Sequence, residues 1–478
     1  MTTRGINKRI YWGISLLFIM LVIGGGVLVS QSKIQADGHQ DPPTSFTEEP
    51  QDEKATTIPE GLLASMPALK QAKGAFIVDG ENGQILYQHE SDQSVEIASI
   101  TKLLTVYLSY QAIESGELKS DQEIWISDEA YALSQDYDIQ NVPLRQDLPY
   151  RLEDLIEAVG TSSANGASLA LAEAVAGSEE DFIQKMEDQL AAWGIQGVRI
   201  QNVTGLTSQY DPQEATSNQE GHTNAFDAET VATIAYHLLA EYPDYLKYSQ
   251  VSQKLFQEGT SDEFEMNNPN KMLASADYNR SYKDLDGLML TRSPQDGYSM
   301  VATAERDGLR VVVVVLGVAD EDLLYRKAAR LLDYAFNTYR TEEIFQKDAP
   351  CDHVDAIRVE NGAQAVAPVK YQESLKLVVP IIDTAPRLTY TFQPNEALAD
   401  QGYLTAPLKA NQELGRLEVN IEAYTLPILP SGKGNDVELV VSQDIDKASW
   451  LARTWQGIVD FTDQSWNYTR KFFINLFN

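Results

Sequence analysis

Two short β-type runs open the apolar patterning of the globular part, residues 75–78 and 85–87. Asp79-Gly80-Glu81-Asn82-Gly83 lies between them, and the turn residues predict a hairpin. From Ser99 the period changes. Ile100, Leu103, Leu104, Tyr107, Leu108 and Ile113 recur at helical spacing, and Gly116 supplies a stop. Helical spacing continues over residues 152–159, 167–175, 179–193 and 229–239. β-type runs return at 285–290, 300–305 and 309–318, with Asp307-Gly308 as a turn between the last two, and residues 320–339 form an amphipathic helical pattern. Two strands, a helical block, three strands and a helix predict an α/β (α+β) domain over residues 61–342, its antiparallel sheet split in sequence by a helical insertion. Short β-runs at 356–359, 375–379, 388–392 and 417–423, separated by turns such as Asn361-Gly362, predict a small all-β domain over residues 346–442.

The ends read differently. Arg4, Lys8 and Arg9 precede an apolar run over residues 10–29, and Ile34-Gln35-Ala36 offers a cleavage site. Residues 1–36 therefore read as a signal peptide cleaved after Ala36, or as an uncleaved signal anchor; either way the rest of the chain faces outward. Residues 37–60 are rich in Asp, Glu, Pro and Thr and almost without apolar positions, which predicts a disordered acidic linker. In the tail, residues 447–478, Trp450, Leu451, Trp455, Ile458, Val459, Trp466, Phe472, Phe473, Leu476 and Phe477 form a rough apolar stripe. Lys447, Arg453, Arg470 and Lys471 outnumber Asp460 and Asp463 there. An amphipathic helix on a membrane surface fits this pattern, and a terminal helix docked on the body is its alternative.

Composition narrows the functions. Across 478 residues, 37 Lys and Arg stand against 70 Asp and Glu, a net charge of −33, which argues against nucleic acid as the main partner. The single cysteine, Cys351, excludes an intramolecular disulfide and any Cys-based zinc or iron–sulfur site. The five histidines lack metal-ligand spacing, and G-x-S-x-G is absent, so neither a metal site nor a Ser-His-Asp triad is expected. A disulfide-poor exported chain fits a Gram-positive cell surface.

The chemistry concentrates near the first long helical stretch. Ser99 and Lys102 are three residues apart and share a helix face, so a lysine of lowered pKa would be placed to take the serine proton. Alone, S-x-x-K is equally a helix cap. Ser163 and Asn165 form an S-x-N between two helical stretches; a serine hydroxyl there suits proton relay and an Asn amide suits a substrate carbonyl, with an N-cap as the plain structural alternative.

Taken together, Ala98-Ser99-Ile100-Thr101-Lys102-Leu103-Leu104-Thr105, Ser163-Ala164-Asn165, Asn202-Val203-Thr204-Gly205-Leu206, Asp286-Gly287-Leu288, Gly297-Tyr298 and the strand segment 301–308 resemble the D-alanyl-D-alanine carboxypeptidases, the low-molecular-mass penicillin-binding proteins. The likeness covers about residues 60–340, and the β-module and tail suit the same family. It implies a penicillin-binding-protein/β-lactamase-like fold, no cofactor, peptidoglycan stem peptides ending in D-Ala-D-Ala as substrate and β-lactams as inhibitors. Where that family carries K-T-G, this sequence has Met289, Leu290 and Thr291, followed by Arg292. The resemblance implies catalytic Ser99, Lys102 and Ser163, substrate binding by Asn165, Leu290, Thr291 and Arg292, and oxyanion donors from the Ser99 and Arg292 backbone N–H groups. Arg292 is open to two readings, a replacement cation or a solvated strand-end arginine. Two further readings share these motifs. One is an impaired homologue that binds peptidoglycan or a β-lactam without efficient turnover. The other is a serine β-lactamase, against which the β-module, the tail and the lack of E-x-x-L-N all argue.

Overall fold

The computed structural model describes residues 66–206, 223–274, 280–381, 387–422 and 426–449, all within one compact unit, Thr56–Asn478. The basic-apolar N-terminus, the acidic linker and the tail from Trp450 onward lie outside the described residues. No described helix is long and apolar enough to cross a membrane.

The predicted hairpin is β1 (Gly74–Asp79) and β2 (Ile85–His89). After a two-residue strand, a 3₁₀ turn (Ala98–Thr101) leads into α1 (Lys102–Glu114). The helical block continues with α2 (Leu152–Ser162), α3 (Asn165–Ala176), α4 (Glu179–Ala192) and α5 (Ala228–Glu241). Then come β3 (Leu285–Ser293), β4 (Gly297–Arg306) and β5 (Leu309–Val318), and α6 (Glu321–Thr338), whose N-cap Asp320 accepts from the Leu323 N–H.

The five strands make one sheet in the order β2-β1-β5-β4-β3, every pair antiparallel. This is the split sheet that the periodicities predict. The hydrophobic run Val311–Leu316 sits in the middle strand and alternates between two cores. Val312, Val314 and Leu316 join Phe76, Ile100, Leu103, Leu155, Leu171 and Val231 on the helical-block face. Val311, Val313 and Val315 join Ile77, Leu324, Ala328, Leu331 and Leu332 under α6. β3 is the sheet's edge strand, and it packs against the 3₁₀ turn that carries Ser99.

Beyond α6, β6 (Tyr339–Phe345) pairs with β8 (Leu375–Pro380). β7 (Val369–Tyr371), β9 (Leu388–Pro394), β10 (Glu413–Ile421) and β11 (Asp436–Val441) form a second sheet in the order β7-β11-β10-β9. Its core is separate and includes Phe345, Tyr371, Leu377, Leu417, Val437 and Leu439. The tip of the first hairpin reaches into this region. Gln84 Oε1 accepts from the Val378 N–H (2.7 Å) and Gln84 Nε2 donates to the Val378 carbonyl oxygen (3.3 Å). The Ile85 N–H donates to Pro427 and the Leu429 N–H to Gly83.

Candidate active site

Ser99 does not open the α-helix as its spacing suggests; it lies in the 3₁₀ turn one residue after Ala98, whose φ of +42° is a conformation L-residues seldom adopt. Such local strain persists where surrounding contacts hold it. Here the preceding Glu96 is tied to the β3–β4 turn. Its N–H donates to Asp296 Oδ2 (2.7 Å), its carboxylate accepts from the Ser293 hydroxyl, and Lys73 pairs with Asp296. The Ile97 N–H donates to the Asn224 carbonyl oxygen (3.0 Å), and Asn224 Nδ2 donates to Thr101 Oγ1 (2.9 Å).

Lys102, the first residue of α1, is fully buried. Its Nζ donates to Ser99 Oγ at 3.0 Å and to the Thr204 carbonyl oxygen at 2.7 Å. No carboxylate among the described residues pairs with it. Burial alone lowers its pKa from the usual lysine range to about 7, because an ammonium loses its hydration without gaining a counter-charge. A lysine amine that is substantially neutral near pH 7 can accept the proton of the serine it touches.

The loop that receives Lys102 was legible only as a signature. Asn202 Oδ1 accepts from the Gly205 N–H (2.6 Å) and from Thr204 Oγ1 (3.1 Å), while its amide donates to the Leu206 carbonyl (2.9 Å). Thr105 Oγ1 donates to the Val203 carbonyl (3.0 Å). These bonds fix the Thr204 carbonyl oxygen over Lys102. Gly205 has φ +73°, and a Cβ there would stand 1.8 Å from the Ala98 carbonyl oxygen, so only glycine lets the loop close on the Ser99 turn. The working atom is a backbone oxygen, which leaves no side-chain signal.

Ser163 ends α2 in the left-handed conformation (φ +57°) and α3 begins at Asn165, so the S-x-N occupies the bend between two helices. Among the described residues, Ser163 Oγ and Asn165 Oδ1 are buried without a hydrogen-bond partner. Asn165 Nδ2 is held by the Gln140 carbonyl (2.8 Å), and the neighbouring Gly166 N–H donates to Asn141 Oδ1 (2.9 Å). Buried polar atoms are paired in the great majority of cases, so two orphans in one bend mark a place that a ligand completes. The free atom of Asn165 is an acceptor. The Asn165 amide nitrogen, the group that would meet a substrate carbonyl, is engaged by Gln140.

Strand β3 separates the remaining site residues by its pleat. Met289 belongs to the helical-block core. Leu290 packs in the core under α6, so the structure does not bring it to Ser99. Thr291 returns to the Ser99 face, and its Oγ1 accepts the Ser99 N–H at 3.2 Å. Arg292 is exposed with its guanidinium over the Tyr298 ring, 5.7 Å from the centroid, which is the solvated strand-end reading and not a cation beside Ser99. Among the described residues no cluster of His, Cys, Asp and Glu is arranged to hold a metal.

An antiparallel sheet flanked by a helical block, with a serine hydroxyl on a buried lysine, defines a serine hydrolase of the penicillin-binding-protein fold. The D-alanyl-D-alanine carboxypeptidase family (peptidase S11) matches residues 63–320, more than half of the chain, and the chain belongs to that family. It is 23% identical over 400 residues to the D-alanyl-D-alanine carboxypeptidase DacF of Bacillus subtilis, covering 82% of this chain and 90% of the relative. It is 24% identical over 397 residues to DacC of Escherichia coli, covering 81% and 88%. Among solved structures, a peptidoglycan synthesis regulatory factor (PBP3) from Streptococcus pneumoniae superposes with a TM-score of 0.68 at 28% identity, over 79% of this chain and all of that one. Penicillin binding protein 5 from Haemophilus influenzae shares the fold at a TM-score of 0.61 and 21% identity, over 80% and 99%.

Proposed function

We propose that the chain is a serine-type D-Ala-D-Ala carboxypeptidase that removes the terminal D-Ala from peptidoglycan stem peptides through an acyl-enzyme. The observation that carries this reading is the contact of a buried lysine, its pKa lowered to about 7, with the Ser99 hydroxyl. Lys102 takes the Ser99 proton as Oγ attacks the carbonyl carbon of the penultimate D-Ala. The C–N bond to the terminal D-Ala breaks, and Ser163 relays to the departing amine the proton that Lys102 took, which leaves Lys102 again a free base. Asn165 Oδ1 accepts a backbone N–H of the bound peptide. Water then attacks the ester while Lys102 takes its proton, and that proton passes to Ser99 Oγ as the bond to the shortened peptide breaks. A β-lactam acylates Ser99 by the same opening step.

The domain reading supports this placement: a catalytic unit over residues 61–342, a β-module over 346–442, and segments at both ends outside them. The protein works outside the cytoplasm, where peptidoglycan is. The apolar N-terminal run and the aromatic tail at 447–478 support a membrane-associated position at the cell surface, and the single cysteine of an exported chain fits a Gram-positive cell. The test is release of free D-alanine from a D-Ala-D-Ala peptide, with wild type beside Ser99→Ala. Release from wild type and none from the variant is the expected result. Equal release from both removes Ser99 from the mechanism.

A further inference from the structure

The Ser99 backbone N–H is the donor nearest the nucleophile, and in an acyl transfer it is placed to stabilise negative charge on the carbonyl oxygen. In this structure that donor is already taken. Thr291 Oγ1 accepts it at 3.2 Å, and the residue is only 6% exposed. The contact is built in from both sides. The strained Ala98 and the ties from Glu96 to the β3–β4 turn hold Ser99 against β3. Pairing of Thr291 with Ser299 in the neighbouring strand fixes the backbone that carries the hydroxyl. A β-branched side chain has few χ1 choices, so the hydroxyl cannot drift aside freely.

We propose that the Thr291 hydroxyl occupies the oxyanion position of this site, and that every acyl donor must displace it before its carbonyl oxygen can take the Ser99 N–H. Residue 291 thereby sets the acylation rate. The inference rests on Ser99 as the nucleophile and adds to it a gate that is the side chain of the edge strand itself. Displacement breaks one neutral hydrogen bond, whose net strength corresponds to about a two- to tenfold change in rate. A serine keeps the acceptor and an alanine removes it; valine keeps the shape without the acceptor.

The experiment measures the second-order rate of Ser99 labelling by a fluorescent penicillin, together with hydrogen exchange of the Ser99 amide, in the full chain. Thr291→Ala is expected to label about two- to tenfold faster than wild type, with Thr291→Ser within about twofold of it. The Ser99 amide should exchange faster in Thr291→Ala and in the shape-conserving Thr291→Val, and at the wild-type rate in Thr291→Ser. A Thr291→Ala protein that labels no faster than wild type overturns the proposal, because the hydroxyl then assists acylation or stands clear of it. Loss of Ser99-dependent labelling in wild type would instead count against the carboxypeptidase reading. Amide exchange then decides the contact alone: unchanged protection in Thr291→Val overturns it, and lost protection upholds it.

Discussion

Lys102 is the residue on which the chemistry turns, because it is buried beside Ser99 with only a hydroxyl and a carbonyl as partners. Its proton is held weakly for want of solvent, and the free amine that results is the base. The sign of the pH dependence follows. Below about 7 the amine is protonated and unable to accept from Ser99; above it the base is free. The acylation rate should therefore rise with pH, inflect near 7 and level off by about pH 8–9. One pH unit below the inflection it should be about tenfold below the plateau. A pH series of β-lactam acylation, with Lys102→Ala as the inactive reference, measures this. A flat profile, or an inflection near the ordinary lysine value, would remove Lys102 as the general base.

Between the residue and the fold stands the 202–206 loop, an element with no regular secondary structure that nonetheless fixes Lys102 through the Thr204 carbonyl. Gly205→Ala would drive a Cβ into the Ala98 carbonyl at a backbone conformation costly for alanine. Strain of this kind costs on the order of 1–3 kcal/mol. The protein should melt lower, and its acylation should slow more than a stability loss alone explains, because Ser99 and Lys102 are held by the same contact. Urea unfolding set beside the labelling rate separates the two effects; unchanged labelling would show that the loop does not position the lysine. What the sequence made legible at this scale follows local rules. Asp307-Gly308 turned where such pairs turn, with both residues at positive φ, and the period-2 and period-3.6 runs became the strands and helices around the site. What escaped depends on long-range geometry. The 3₁₀ turn under Ser99 is imposed by Asn224 and the β3–β4 turn, far away in sequence. Which of Leu290, Thr291 and Arg292 faces Ser99 is decided by the pleat of β3. The free atom of Asn165 is decided by the Gln140 carbonyl.

Across the whole molecule, the β1–β2 hairpin links the five-stranded sheet to the region beyond α6, since its strands lie in that sheet while its tip bonds to Val378 of the β6–β8 pair and to Pro427 and Leu429. Asp79 sits at the base of that tip, fully buried, with its Oδ2 accepting the Asn82 N–H at 2.7 Å. Burial pushes its pKa up to about 7, although the Asn82 and Glu81 N–H groups pull the other way. A carboxyl raised in the folded state binds more protons there than in the unfolded chain. Its stabilising contribution is complete below the unfolded value of about 4 and is lost as pH rises through about 7. Asp79→Asn keeps an oxygen acceptor for the Asn82 N–H and cannot ionise. The variant should therefore match wild type most closely near pH 4–5 and become the more stable of the two by pH 8, the gap opening steadily between. Acylation at Ser99 should change little, because Asp79 makes no bond to the residues around it. Denaturant unfolding of both proteins from pH 4.5 to 8.5 reads the gap directly, and the difference between them cancels the titration of every other group. A gap that stays constant with pH would mean that Asp79 is ionised throughout and that the base of the hairpin tip carries no proton.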